Sequence, residues 1–359
     1  VSIPNNGAKV GDAITVTIEG SETGLNLDTG TVNGVALTGF SDDGGGTYTA
    51  TYTVQEGDTD RAADDDIPVN VILTDAAGNS STAYKTAISQ GSDAIDANTP
   101  AAPSIPDMST ATDSGTSDSD GVTSDTTPTF TGTAEADATV TLSSSADGSL
   151  GTITADVNGD WCFTPGTVLS SGAHNISATA SDAAGNTSPA SSALAITIDP
   201  SAPVAPSKPD LAAASDSGES SSDDVTSDDT PTFTGTAEAN ATVTLYDSDG
   251  TTVIGSATAD GSGDWSITTS ALSDGEHTIT AKATDAAGNE STASTGLTVS
   301  IDSVDPTFDS STPADNATTV GMGGDIQLTF NEAVVAGTGD LTLINTTTNQ
   351  TVETFDISS

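Results

Sequence analysis

Apolar residues alternate with Ser, Thr and other small polar residues in short runs along this chain. Thr139-Val140-Thr141-Leu142, Ala241-Thr242-Val243-Thr244-Leu245-Tyr246 and His277-Thr278-Ile279-Thr280-Ala281 are the clearest. A period of two is the signature of strands with one buried face, and no helical period is sustained anywhere. In the best-defined stretch the alternation predicts strands near 230–237, 241–246, 252–259, 264–269, 277–284 and 297–301, separated by Gly, Asn, Asp and Ser.

The pattern repeats. DTTPTFTGTAEADATV from Asp125 to Val140 returns as DDTPTFTGTAEANATV from Asp228 to Val243, and the same spacing links Asp182 to Asp285, His174 to His277 and Asp199 to Asp302. Asp-Ala-Ala-Gly-Asn occurs three times, at Asp75–Asn79, Asp182–Asn186 and Asp285–Asn289. Recurrence at about a hundred residues predicts an array of small domains rather than one large fold. Six or seven short strands per repeat predict immunoglobulin-like sandwiches, so the fold class is all-β: a tandem array forming an extended rod. Residues 1–97 are a divergent first module, 98–201 and 202–304 are two closely similar repeats, and 305–359 reads as the N-terminal half of a further module. Trp161 and Trp265 are the expected core anchors. Proline-rich stretches, Thr99-Pro100-Ala101-Ala102-Pro103 and Ser201-Ala202-Pro203-Val204-Ala205-Pro206, read as semi-rigid spacers.

Charge narrows the function. The chain carries 52 Asp and Glu against 5 Lys and Arg, a formal net charge of −47. Phosphate binding needs clustered cations, which excludes nucleic acid as a partner, and anionic membrane surfaces are disfavoured for the same reason. No apolar stretch reaches membrane-spanning length, so no membrane insertion is expected. Cys162 is the only cysteine, so no disulfide closes within the chain; it reads as a small half-buried residue. His174 and His277 occupy equivalent positions and read as structural. No nucleophile elbow, zinc-binding helix or phosphate loop is present, and the chain is not expected to be an enzyme.

Like charge at this density favours bound divalent cations, and Asp oxygens suit calcium. Two placements are open. Asp-Ala-Ala-Gly-Asn is a hairpin with Gly in the left-handed position and Asp capping its own turn, a complete account without metal. Strand order also puts each hairpin at the end of its module that faces the preceding one, where an exit strand arrives. Glu135, Asp199, Asp285 and Asn289 could then converge on one ion at the second junction, as could the equivalents Glu238, Asp302 and Asp305, and Asp75, Asn79, Asp93, Asp96, Asp182 and Asn186. The second placement is the acidic loop before the first long strand: Asp107, Asp113, Asp120 and Asp125 in one repeat, Asp210, Asp216, Asp223 and Asp228 in the next. It reads either as a solvated linker or as a ligand set. A further acidic cluster, Asp58, Asp60, Asp64, Asp65 and Asp66, lies in the first module.

The PTFTGTAEA…ATVTLYD…GDW…DAAGN…TID pattern, followed by STPADNAT…LTFNEAV, resembles the tandem bacterial immunoglobulin-like domains of giant type-I-secreted adhesins. The resemblance implies an extracellular or cell-surface location, a monomeric rod, calcium that stiffens the junctions, neighbouring modules of the same chain as partners, and a role in attachment or biofilm formation. Two alternatives stay open: the first module is itself a glycan- or protein-binding domain, or the array is an accessory region of an extracellular hydrolase.

Overall fold

The computed structural model describes residues 1–359 except 90, 92–93, 219, 315–316, 318–324, 335–339, 346 and 357–359. Every regular element among the described residues is a β-strand. Contacts divide the chain into two compact units, Val1–Val204 with Ala283–Ser291, and Ala205–Lys282 with Thr292–Ser359.

The first unit contains two apolar cores. In the first, Val16, Ile18, Tyr48, Tyr52, Val32 and Ile67 are fully or almost fully enclosed. Ala13–Glu19, Thr47–Thr53 and Thr38–Gly44 form one sheet, and Val35–Ala36, Asn26–Val32 and Val69–Thr74 another. Asn33 and Gly34 both have positive φ, 53° and 86°, and close a two-residue turn between Val32 and Val35.

The second core is enclosed by a five-stranded sheet. Its order is Val122–Thr123, Leu194–Ile198, Gly172–Ser181, Thr139–Ser144, Gly148–Thr154. Opposite it lies a three-stranded sheet of Asp107–Met108, Phe130–Thr133 and Asp160–Phe163. Alternation sorts the side chains: Val140, Leu142 and Ser144 of Thr139–Ser144 point inward while Thr139, Thr141 and Ser143 face out. Phe130, Val140, Leu142, Ile176 and Ile198 have no exposed surface, and burying each contributes roughly 1.5–3 kcal/mol. Trp161 is buried against Gly132, where a Cβ would strike the indole ring. The glycine of the PTFTGT run is thus a seat for tryptophan, and Gly235 serves Trp265 in the same way. Cys162, next along the strand, points outward and is exposed rather than half-buried.

The second unit repeats this plan with strands Val225–Thr226, Leu297–Ile301, Gly275–Thr284, Thr242–Tyr246 and Val253–Thr258 against Asp210–Leu211, Thr232–Thr236 and Asp264–Thr268. All six strands expected here are present within a few residues. Two-residue strands inside the acidic loops are additional: Val122–Thr123 and Val225–Thr226 pair in parallel with the exit strands Leu194–Ile198 and Leu297–Ile301. They are too short and too polar in context to register as a period. Beyond Ile301 the unit holds two antiparallel ladders, Phe308–Thr312 with Gln327–Phe330 and Asp340–Asn345 with Gln350–Asp356.

Candidate functional site: the module junctions

All three Asp-Ala-Ala-Gly-Asn segments are hairpins. The glycines sit at φ 90°, 88° and 86°, which only glycine adopts without strain. In each, the Asp Oδ1 accepts the Asn backbone N–H and the Asp Oδ2 accepts the Asn side-chain amide, at 2.8–2.9 Å. These bonds hold the Asp75 carboxyl below the usual range, the Asn79 side-chain amide contributing most. The turn therefore engages both oxygens of its own carboxylate.

What differs is the hairpin's outer face. Residues 76–80 of the first copy are exposed. The second copy lies against the first module: Asn186 is buried, its Oδ1 accepts the Val10 N–H at 2.9 Å, and its Nδ2 donates to the Asp96 carbonyl at 3.3 Å. Lys9 Nζ donates to the Gly185 carbonyl at 2.7 Å. The third copy, within the first unit, lies against the loop 113–116. Asn289 Nδ2 donates to the Asp199 carbonyl at 2.7 Å, Ser114 Oγ to the Ala287 carbonyl at 3.0 Å, and the Thr116 N–H to the Ala286 carbonyl at 3.1 Å. A Cβ on Gly288 would strike the Ser114 carbonyl oxygen, and one on Gly115 the Ala286 carbonyl oxygen. The two placements that the sequence left separate, hairpin and acidic loop, are here two halves of one contact. Its direct bonds are made by an asparagine amide, a serine hydroxyl and main chain.

The acidic loops carry the unusual electrostatics. Asp113 is 6% exposed; its Oδ2 accepts the Gly121 N–H at 3.2 Å while its buried Oδ1 has no partner. Burial, with the charges of Asp120 and Asp118, pushes its carboxyl above the usual range. Asp216, the equivalent residue, is also 6% exposed, and neither of its oxygens has a partner. Beside it, burial and the charges of Asp216, Asp210 and Asp223 raise Asp224, against the pull of Lys208. Buried carboxylates without a bonded partner are costly, and an oxygen-only donor set of this kind suits a hard divalent cation in chemistry. Among the described residues no three His, Cys, Asp or Glu side chains come together as a metal-binding group.

Other expected ligands are dispersed. Asp125 and Asp228 cap Thr127 and Thr230, and Asp228 also accepts from Ser215. Asp120 and Asp223 bond the N–H groups of Val122 and Val225. Asp107 and Asp210 are exposed on their short strands, and Asp302 and Asp305 are exposed. Asp93 lies outside the described residues. Glu135 stands apart from the placement expected of it. Thr139 pairs with Ser181, putting the turn that carries Glu135 beside its own module's hairpin, whereas Gly172 pairs with Ile198, putting Asp199 at the opposite end of the same sheet. A turn at the far end of the strands cannot share an ion with Asp199. Glu238, its counterpart one repeat on, is likewise exposed in a turn.

Sequence reasoning missed several residues. Lys9 puts a cation at a junction expected to have none. Asp60 and Glu56 bind the linker, through the Ala97 N–H and Asn98 amide and through the Thr99 N–H respectively. Thr123 and Thr226 are enclosed hydroxyls; Thr123 Oγ1 donates to the Thr112 carbonyl at 2.6 Å and accepts the Asp125 N–H at 3.0 Å. Repetition of Val-Thr-Ser-Asp was the available signal. Both histidines are buried and differ in partner: His174 Nδ1 meets Ser144 Oγ at 2.7 Å, and His277 Nδ1 meets Asp247 Oδ1 at 2.8 Å.

The chain is similar to known proteins. A calcium-stabilised adhesin described as helping an Antarctic bacterium reach out and bind ice is 25% identical, with 81% of this chain and 68% of that one covered and a TM-score of 0.34. A bacterial ice-binding adhesin of 1.5 MDa gives 21%, 82%, 92% and 0.29, and a tetra-tandem repeat from the extending region of a large adhesion protein 20%, 86%, 73% and 0.28. No curated protein matches. The bacterial Ig-like domain family matches residues 99–200 and 203–303, and a second bacterial Ig-like domain family matches 302–359. The chain therefore belongs to the bacterial immunoglobulin-like domains.

Proposed function

We propose that the chain is a spacer segment of a bacterial cell-surface adhesin. Its modules are held in series by hairpin contacts and stiffened by calcium at the acidic loops, and it serves attachment and biofilm formation outside the cell. The observation that carries this reading is that one motif, Asp-Ala-Ala-Gly-Asn, makes the contact to the preceding module twice, with the same Asn gripping the same exit-strand carbonyl. A repeated contact of that kind sets one module relative to the next, which is what a spacer needs. Asp113 and Asp216 support calcium, because each buries carboxylate oxygen without a partner in a chain of net charge −47. Bound calcium would neutralise those loops.

A groove favours the second reading, that the first module binds a ligand. It is lined by Ile18, Leu25, Val71, Leu73 and Tyr84, with Glu19, Glu22 and Asp75 at its rim. It lies at the exposed hairpin Asp75–Asn79, the face that the other two copies turn to a neighbouring module, so it suits a further module as well as a foreign ligand.

Small-angle scattering and thermal melting in calcium and in chelator test the spacer reading. A ligand bound only by the folded state at a hundred times its Kd stabilises by ~2.7 kcal/mol, so calcium should raise the melting temperature and reduce flexibility. Identical curves in both conditions refute it.

A further inference from the structure

We infer that the junction between the first and second modules is closed by the chain's own cation, the Lys9 ammonium, and needs no calcium. This rests on the spacer reading, in which junctions fix successive modules. Each module opens with a two-residue leading strand parallel to its exit strand. Ala8 lies beside Ile95 and Lys9 beside Asp96, while Thr123 lies beside Ile198. Ile95 and Ile198 are equivalent, because each precedes the aspartate whose carbonyl receives the Asn amide of the next hairpin. Lys9 therefore stands where the second module has Ser124.

The two positions reach the next hairpin by different means. Ser124 works through a relay: its N–H donates to Ser114 Oγ at 2.9 Å, and Ser114 Oγ donates to the Ala287 carbonyl at 3.0 Å. Ser114 comes with the acidic loop, and next to it is Asp113, whose buried Oδ1 has no partner. Lys9 spans the gap alone. Its Nζ donates to the Gly185 carbonyl at 2.7 Å, and the adjoining Val10 N–H donates to Asn186 Oδ1 at 2.9 Å. The residues ahead of Ala8, Ile3-Pro4-Asn5-Asn6-Gly7, carry no charge, whereas Asp118 and Asp120 lie just ahead of Val122. Among the described residues, the first module buries no carboxylate oxygen without a partner. Its acids at the junction hold the linker: Asp60 accepts the Ala97 N–H at 2.9 Å, and Glu56 accepts the Thr99 N–H at 3.1 Å. A tethered charge thus takes the place of a loop that calls for a counter-ion. An ammonium on a side chain cannot be chelated away, and it repels a divalent ion drawn to the same carbonyls.

Native-state hydrogen exchange of the whole chain, in calcium and in chelator, tests this. The Val10 amide reports the first junction through Asn186, and the Thr116 amide reports the second through Ala286. Val10 protection should agree within about twofold between the two buffers. Lys9→Met keeps an unbranched stem and removes the charge. It should lower Val10 protection about tenfold in both buffers, the loss of one charged hydrogen bond, while the Val71 amide in the core of the first module stays protected. Lys9→Arg should restore most of the protection. The inference is overturned if chelator alone lowers Val10 protection by about tenfold, or if Lys9→Met leaves it unchanged. Thr116 keeps this apart from the calcium of the spacer reading. Equal Thr116 protection in both buffers refutes calcium at the second junction and leaves the Lys9 result standing, whereas loss at Val10 on chelation refutes the Lys9 closure and leaves calcium in place.

Discussion

Gly78, Gly185 and Gly288 offer a matched experiment on the junction. They are the same residue of the same motif, at φ 90°, 88° and 86°. Replacing any of them with Ala imposes left-handed strain of roughly 1–2 kcal/mol. Their surroundings differ. A Cβ on Gly78 meets nothing within 4 Å, one on Gly185 comes within 3.3 Å of the flexible Lys9 ammonium, and one on Gly288 strikes the Ser114 main-chain carbonyl. Lysine can swing aside; a carbonyl fixed between Asp113 and Gly115 cannot. Gly288→Ala should therefore lose the strain energy and also the hairpin's contact: Asn289 to Asp199, Ser114 to Ala287 and Thr116 to Ala286. Three hydrogen bonds at a net 0.5–1.5 kcal/mol each make that extra loss roughly 2–4 kcal/mol. The measurement is native-state hydrogen exchange, which reads local opening without assuming that the whole chain unfolds at once. Protection of the Thr116 amide should fall by about 30-fold or more in Gly288→Ala, at ~1.4 kcal/mol per tenfold, and stay unchanged in Gly78→Ala. If Gly288→Ala and Gly78→Ala have equal effects on their own hairpins and Thr116 stays protected, the close approach is not what holds the junction.

Asp113→Asn should stabilise the chain in chelator, because it removes a buried charge whose carboxyl is already pushed upward by burial and acidic neighbours; in calcium the same variant should be the less stable, and thermal melts that rank the two proteins alike in both buffers refute this. The third module should weaken as pH rises through the raised pKa of His277. Although burial opposes it, the bonds to Asp247 and the Ser273 carbonyl raise His277, so its contribution is full below the ordinary histidine pKa of about 6.5 and is lost as pH rises through the raised value; a histidine titration by NMR that shows no upward displacement sinks this.

Much of the fold was legible because alternation and repetition report on the same thing. Val140, Leu142, Ile279 and Val299 are buried where the period puts them, and two near-identical segments fix the module length. Elements shorter than a period were not legible. Val122–Thr123 and Val225–Thr226 are two residues each, and nothing in Val-Thr-Ser-Asp distinguishes a strand from a loop until the exit strand is beside it. Pole assignments also failed where they needed register: Glu135 goes with Ser181 because Thr139 pairs there, a fact of sheet order that spacing along the chain does not contain. Lys9 at Gly185 is separated from it by 176 residues and belongs to a module that keeps the hairpin but lacks the PTFTGTAE strand of the two repeats.

The acid itself was the least legible feature, because one residue type does two opposite things. Asp156 and Asp260 each accept two N–H groups of their own tight turns, and these bonds hold both carboxyls below the usual range. Such turns are stabilised by the charged form and lose that contribution as pH falls through the lowered values. Asp113 and Asp224 are raised instead; they favour folding when protonated and oppose it as pH rises through their raised values. The difference lies in geometry, an exposed turn against a loop folded beneath a leading strand, and both are written with the same letters. It also limits where a cation can act. At Asp156 calcium would meet an Oδ1 already bonded to two N–H groups of its turn, whereas Asp113 Oδ1 and both Asp216 oxygens are buried and have no partner. Of the 52 acids, the few that are buried and unpartnered are therefore where added calcium should be felt first.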